Sequence, residues 1–87
     1  MRKNLKVERI QTGMRVEKRI LKTLKALAEY LDMTLGDLIE GIVLHAFEGK
    51  VPFSDDMIKK IQEIKTVYDL DLDASHSHKL VEKFGDK

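Results

Sequence analysis

The sequence predicts a small, mostly α-helical domain with one short β-strand near its N-terminus. Three observations carry this: residues 9 to 16 alternate in polarity, two later stretches space apolar residues as a helix does, and a threonine-capped turn separates them. In the first stretch Ile10, Thr12, Met14 and Val16 share one parity, while Arg9, Gln11, Gly13 and Arg15 share the other. That is the period of a strand with one covered and one open face. A lone strand of this length is not stable in water, so a second copy is expected to pair with it and helices to cover its apolar side. Gly13 weakens the strand, because glycine adds entropy to the unfolded chain and has no side chain to pack.

A first helix is expected over Glu17 to Leu31. Val16, Ile20, Leu21, Leu24, Leu27, Ala28 and Leu31 form one stripe, and neither glycine nor proline interrupts it. The chain breaks at Asp32-Met33-Thr34, where the Thr34 hydroxyl can cap the next helix and Asp37 sits favourably in its first turn. The second helix runs to Phe47 with Leu35, Leu38, Ile39, Ile42, Val43 and Ala46 on one face. Leu44 widens that face beyond what one neighbouring helix would cover, which argues for a partner subunit. Gly41 in mid-helix is expected to serve a close helix crossing, since it costs about 1 kcal/mol relative to alanine, and Gly49 ends the helix. After the connector Lys50-Val51-Pro52-Phe53, Ser54 is expected to cap a third helix with Met57, Ile58, Ile61, Ile64 and Tyr68 on its apolar side. The Asp and Leu alternation from Asp69 to Asp73 is left without assignment. Ser77 is expected to cap a last short helix carrying Leu80, Val81 and Phe84, with Gly85 past its end.

The division expected is a flexible basic arm over residues 1–8, a core domain over 9–49, and a helical C-terminal extension over 50–87. A chain of 87 residues makes a marginal core alone, so oligomerisation is the expected support. There is no cysteine, hence no disulfide framework and no thiolate metal site. No apolar run approaches the roughly 20 residues that cross a bilayer, and no signal-peptide core follows the basic start. The expectation is a soluble cytoplasmic protein that does not meet a membrane.

The net charge of +1 hides a division. Residues 1 to 25 hold nine basic side chains against Glu8 and Glu17, a surplus of seven, which leaves −6 for the remainder. A basic end of this kind suits a polyanion, and the acidic remainder does not. Arg and Gln on the open face of the strand can make bidentate hydrogen bonds to guanine and adenine edges, and a two-stranded ribbon fits the major groove. Lys18 or Arg19 is expected near the phosphate backbone, whereas Lys22 and Lys25 read equally well as a solvated face. His45, His76 and His78 invite a metal reading, and His76 with His78 beside Asp71 and Asp73 could ligate one, but no third soft ligand accompanies that pair and no metal site is expected. No nucleophile with its base, glycine-rich phosphate loop or pair of catalytic carboxylates is present, so neither an enzyme nor a cofactor is expected.

The order strand, helix, capped turn, helix over residues 9 to 48 resembles the ribbon-helix-helix repressors of the Arc and MetJ type. The parts that carry the resemblance are Arg9 to Val16, the stripe Ile20-Leu21-Leu24-Leu27-Ala28-Leu31, and Asp32-Met33-Thr34-Leu35 before Leu38-Ile39-Ile42-Val43. It implies an intertwined homodimer whose strands pair into an antiparallel ribbon that enters the major groove of double-stranded DNA. It also implies Gln11, Gly13, Arg15 and Arg9 as base contacts, and a phosphate held at Thr34, Leu35 and Gly36. The dimer core would then contain Ile10, Met14, Val16, Leu38, Ile39, Ile42 and Val43. Gly13 departs from the family pattern, which places a polar reader there. The expected function is sequence-specific repression of transcription. The alternatives are an antitoxin or accessory protein whose acidic residues 54–87 bind a protein partner, and a helical oligomerisation module.

Overall fold

The structure, a computed structural model, describes residues 4–83. Arg2 and Lys3 of the basic arm, and Phe84 and Gly85 of the expected last helix, lie outside them. The described chain is three α-helices of equal length, α1 (Lys18–Tyr30), α2 (Leu35–Phe47) and α3 (Asp55–Val67), followed by a single 3-10 turn at Ala74–His76.

Each helix begins on a side-chain cap. The Glu17 carboxylate accepts the Ile20 N–H, the Thr34 hydroxyl that of Asp37, and Ser54 that of Met57, so each cap satisfies one of the orphan donors of a first turn. Each helix also ends in the same way. Past α2, Gly49 takes φ +69°, Lys50 N–H bonds the His45 carbonyl and Gly49 N–H that of Ala46, which is the Schellman pattern. The same pair of bonds closes α1 at Asp32 and Met33, and α3 at Asp69 and Leu70.

At those two ends the left-handed residue is an aspartate, Asp32 at φ 56° and Asp69 at φ 54°. A side chain raises the cost of that conformation by about 1 kcal/mol over glycine. Asp32→Gly should therefore stabilise the fold by up to about 1 kcal/mol, read as a higher urea midpoint at unchanged slope. A lowered midpoint would mean that the Asp32 side chain itself supports the turn.

α1 is the central helix and packs against both α2 and α3. The buried apolar core is small: Leu27 and Ala28 from α1 and Leu38 from α2, with Leu24, Leu31, Ile42, Phe53, Met57, Ile61 and Ile64 packed around them. Thr23 is also buried, which its polarity did not foretell. Its hydroxyl donates to the Arg19 carbonyl at 2.8 Å, so it enters the core with its hydrogen bond made.

The structure overturns the expected ribbon-helix-helix fold. Among the described residues there is no β-strand, and residues 4–17 run without regular structure into α1. The polarity alternation of Arg9 to Val16 reports which side chains could share a face. It does not supply backbone hydrogen bonds, and the described chain offers no second strand to make them. The last helix is also corrected. Ser77 closes the 3-10 turn instead of opening a helix, and Leu80 and Val81 are non-helical and exposed. The competing element is a local one: Asp73 accepts the Ser75 N–H while its own N–H donates to His76 Nδ1. Gly41 touches nothing that a Cβ would meet within 4 Å, so no helix crosses there within one chain.

Candidate nucleic-acid interface

The N-terminal segment lies along α1 and α2 without filling the space between them. Ile10, Met14 and Val16 from the segment, Leu21 and Leu24 from α1, and Leu35, Ile39 and Val43 from α2 line an open apolar groove of about 750 Å³. Ile10 remains 79% exposed and Met14 70%, so this face of the chain is unsatisfied. Leu44 and Phe47 continue the exposed apolar surface along α2. Of the residues expected in a dimer core, Leu38 is already buried in the chain's own core, whereas Ile10, Met14, Val16, Ile39 and Val43 border the groove.

The arginines expected to face DNA are each held by a carboxylate. Arg9 makes two hydrogen bonds to Glu40 of α2, at 2.7 and 2.8 Å, a bidentate pair exposed to solvent. Arg15 makes a second bidentate pair, to Glu82, with Nε at 3.1 Å from Oε1. Arg19 donates to Glu17, to Asp71 and to the Asp69 carbonyl, all between 2.9 and 3.0 Å. None of these partners was legible beforehand, because each joins residues far apart in sequence or, for Glu17, belongs to a cap whose rotamer the fold selects.

Lys18, Lys22 and Lys25 present a different picture. Their spacing of four and three places them along one side of α1. All three are exposed, and among the described residues no carboxylate pairs with them. The cationic row along this side of α1 is therefore three lysines long. Gln11 and Gly13 line the apolar groove and are exposed.

At the start of α2, Thr34 spends its hydroxyl on the Asp37 N–H at 3.1 Å. Leu35 and Gly36, as first-turn residues, have no intrahelical acceptor, and Gly36 is exposed with open space around it. Asp37 and Glu40 bring negative charge to the same turn, and the pairing of Glu40 with Arg9 offsets one of the two.

Two carboxylates here are held below their ordinary value of 4.5. For Glu40 the cause is the hydrogen bond and charge of Arg9. For Glu17, partial burial works the other way but is outweighed by the Ile20 N–H and the Arg19 guanidinium. A lowered folded-state pKa gives stability that is present above the unfolded value and lost as pH falls through the folded one. Both the α1 cap and the Arg9 tether should therefore weaken together as the pH drops below 4.5, visible as simultaneous shifts of the Ile20 amide and Arg9 Nε–H resonances in a pH titration. Independent shifts at higher pH would show that these contacts do not hold the ends of the segment.

Two of the three histidines have local partners. His45 Nδ1 lies 2.7 Å from the Gly41 carbonyl one turn earlier and donates to it. His76 completes the capping arrangement with Asp73. Among the described residues no cluster of three or more metal-binding side chains occurs, and no helix is long and apolar enough to cross a membrane. Comparison with protein-family models, with curated proteins and with solved structures finds no match, so the interface is read from its own chemistry.

Proposed function

We propose that this chain binds double-stranded DNA as a homodimer and represses transcription by occupying its site. The observation that carries the reading is the surplus of seven positive charges in residues 1 to 25, together with Lys18, Lys22 and Lys25 standing exposed and without carboxylate partners along α1. Lysines in such a row neutralise phosphates and release counterions, which drives association independently of sequence. Sequence preference would come from Gln11 and Arg15 on the irregular N-terminal segment, which can follow a groove without forming a ribbon. The first turn of α2, at Thr34 to Gly36, would add a phosphate contact.

The size of the core supports the homodimer. Among the described residues three apolar side chains are buried, none of them completely, while Leu44, Phe47, Ile10 and Met14 are more than half exposed. A chain with this little interior and this much contiguous apolar surface gains most from a second copy covering the groove and the open side of α2. The apolar side of α3 is less available to a foreign partner, because Met57, Ile61 and Ile64 already pack on the chain's own core.

Titration of a labelled duplex at low salt tests the reading, with sedimentation reporting the oligomeric state. Binding that weakens steeply with added salt, by a dimer, is the expected result. A monomer with no affinity for any duplex at low salt would overturn it.

A further inference from the structure

The acidic C-terminal segment has a defined place and grips the same side chains that the DNA-binding reading requires. Its path is fixed at several points: Asp69 and Leu70 close α3, Lys65 Nζ donates to the Leu72 carbonyl at 3.0 Å, and Asp73, Ser75 and His76 form a tight turn. From this segment Asp71 accepts from Arg19 across 52 positions of sequence, and Glu82 accepts from Arg15 across 67. Glu82 takes two parallel N–H bonds from the Arg15 guanidinium, the geometry of a phosphate doing the same, while Asp71 takes one from Arg19. Both pairs are also open to water, with the Arg15 and Asp71 side chains more than 80% exposed. Exposed pairs of this type are weak and yield to a stronger competitor.

We propose that residues 69–82 are an internal competitor for DNA, in which Asp71 and Glu82 occupy Arg19 and Arg15 in the free protein and are displaced when the duplex takes those guanidiniums. The proposal rests on the DNA-binding reading above and adds its regulation. Lys18, Lys22 and Lys25 remain available for the first encounter, while Arg15, the side chain able to read a base, is released only against the strap. Weak contact with arbitrary duplex then does not by itself free Arg15, and affinity is set by whether the bound sequence offers Arg15 a better partner than Glu82.

The test compares three full-length proteins by anisotropy of a labelled duplex at about 0.1 M salt, where charges beyond about 10 Å are screened. They are the parent, Asp71→Asn/Glu82→Gln, and the control Asp55→Asn/Asp56→Asn, which removes the same charge from the start of α3. Releasing two exposed ion pairs should tighten binding by about fivefold in the first variant, with the control within about twofold of the parent. Duplex added to the parent should also shift the Arg15 and Arg19 Nε–H resonances and the side-chain resonances of Asp71 and Glu82 together. Equal affinity of the parent and the Asp71→Asn/Glu82→Gln variant would overturn the strap and leave DNA binding standing, as would an equal gain in the control. Failure of all three proteins to bind would remove both readings, whereas binding by the strap variant alone would support both.

Discussion

Replacing Leu27 with alanine should abolish cooperative folding or reduce it to a weak transition near ambient temperature. Leu27 is 3% exposed and sits at the centre of the cluster with Ala28 and Leu38, where α1 meets its two neighbours. Truncating a buried leucine typically costs about 2–5 kcal/mol, and a domain this small has at most about 5–10 kcal/mol in total. With three apolar side chains buried in one cluster, the described residues hold no second core region to compensate. Far-UV circular dichroism during a thermal scan reads the effect directly. A Leu27→Ala protein that melts like the parent would show that stability resides elsewhere. Val43→Ala is the informative companion, because Val43 is 36% exposed in the single chain and a surface truncation there should shift stability by less than about 0.5 kcal/mol. A large loss that deepens on dilution would instead place Val43 under a second copy.

Replacing Lys18, Lys22 and Lys25 together with glutamine should reduce DNA binding by orders of magnitude at physiological salt while leaving the fold intact. Each lysine that neutralises a phosphate contributes about 0.9 to the slope of log affinity against log salt, so the slope should become shallower by about 2.7. Glutamine keeps helix propensity close to that of lysine, and all three side chains are exposed, so the melting curve should barely move. An unchanged salt slope would show that the α1 row does not meet the backbone. Arg15→Ala should behave differently: a bidentate base contact gives about 1–3 kcal/mol of discrimination, so preference among duplexes should fall more than affinity for arbitrary DNA.

Much of the helical framework was legible because its signals are local. The Thr34 and Ser54 caps, the stripe from Ile20 to Leu31 and the Gly49 stop act within a turn or two of the chain, and α1, α2 and α3 begin and end within about a residue of where those signals place them. The strand expected at Arg9 to Arg15 does not form, for the complementary reason. Alternation is a property of one segment, but a strand is a property of two, and the second was absent from the described chain. The helix expected after Ser77 failed because Asp73, Ser75 and His76 closed a tighter turn just before it.

The candidate interface divides along the same line. That the first 25 residues are strongly basic, and that Lys18, Lys22 and Lys25 share a side of α1, follows from counting and from helical periodicity alone. Which cations are free and which are held depended on distance: Arg9 found Glu40, Arg15 found Glu82 and Arg19 found Asp71, pairs separated by at least 31 positions. Sequence by itself determined three helices, the caps of the second and third, and a charge division, since propensity, capping and net charge act locally or sum without regard to geometry. Only the tertiary structure decided that Arg9 to Val16 runs unpaired over an open apolar groove and that the acidic end reaches back to the basic one. Both outcomes require segments remote in the chain to meet, and a linear pattern contains no term for that.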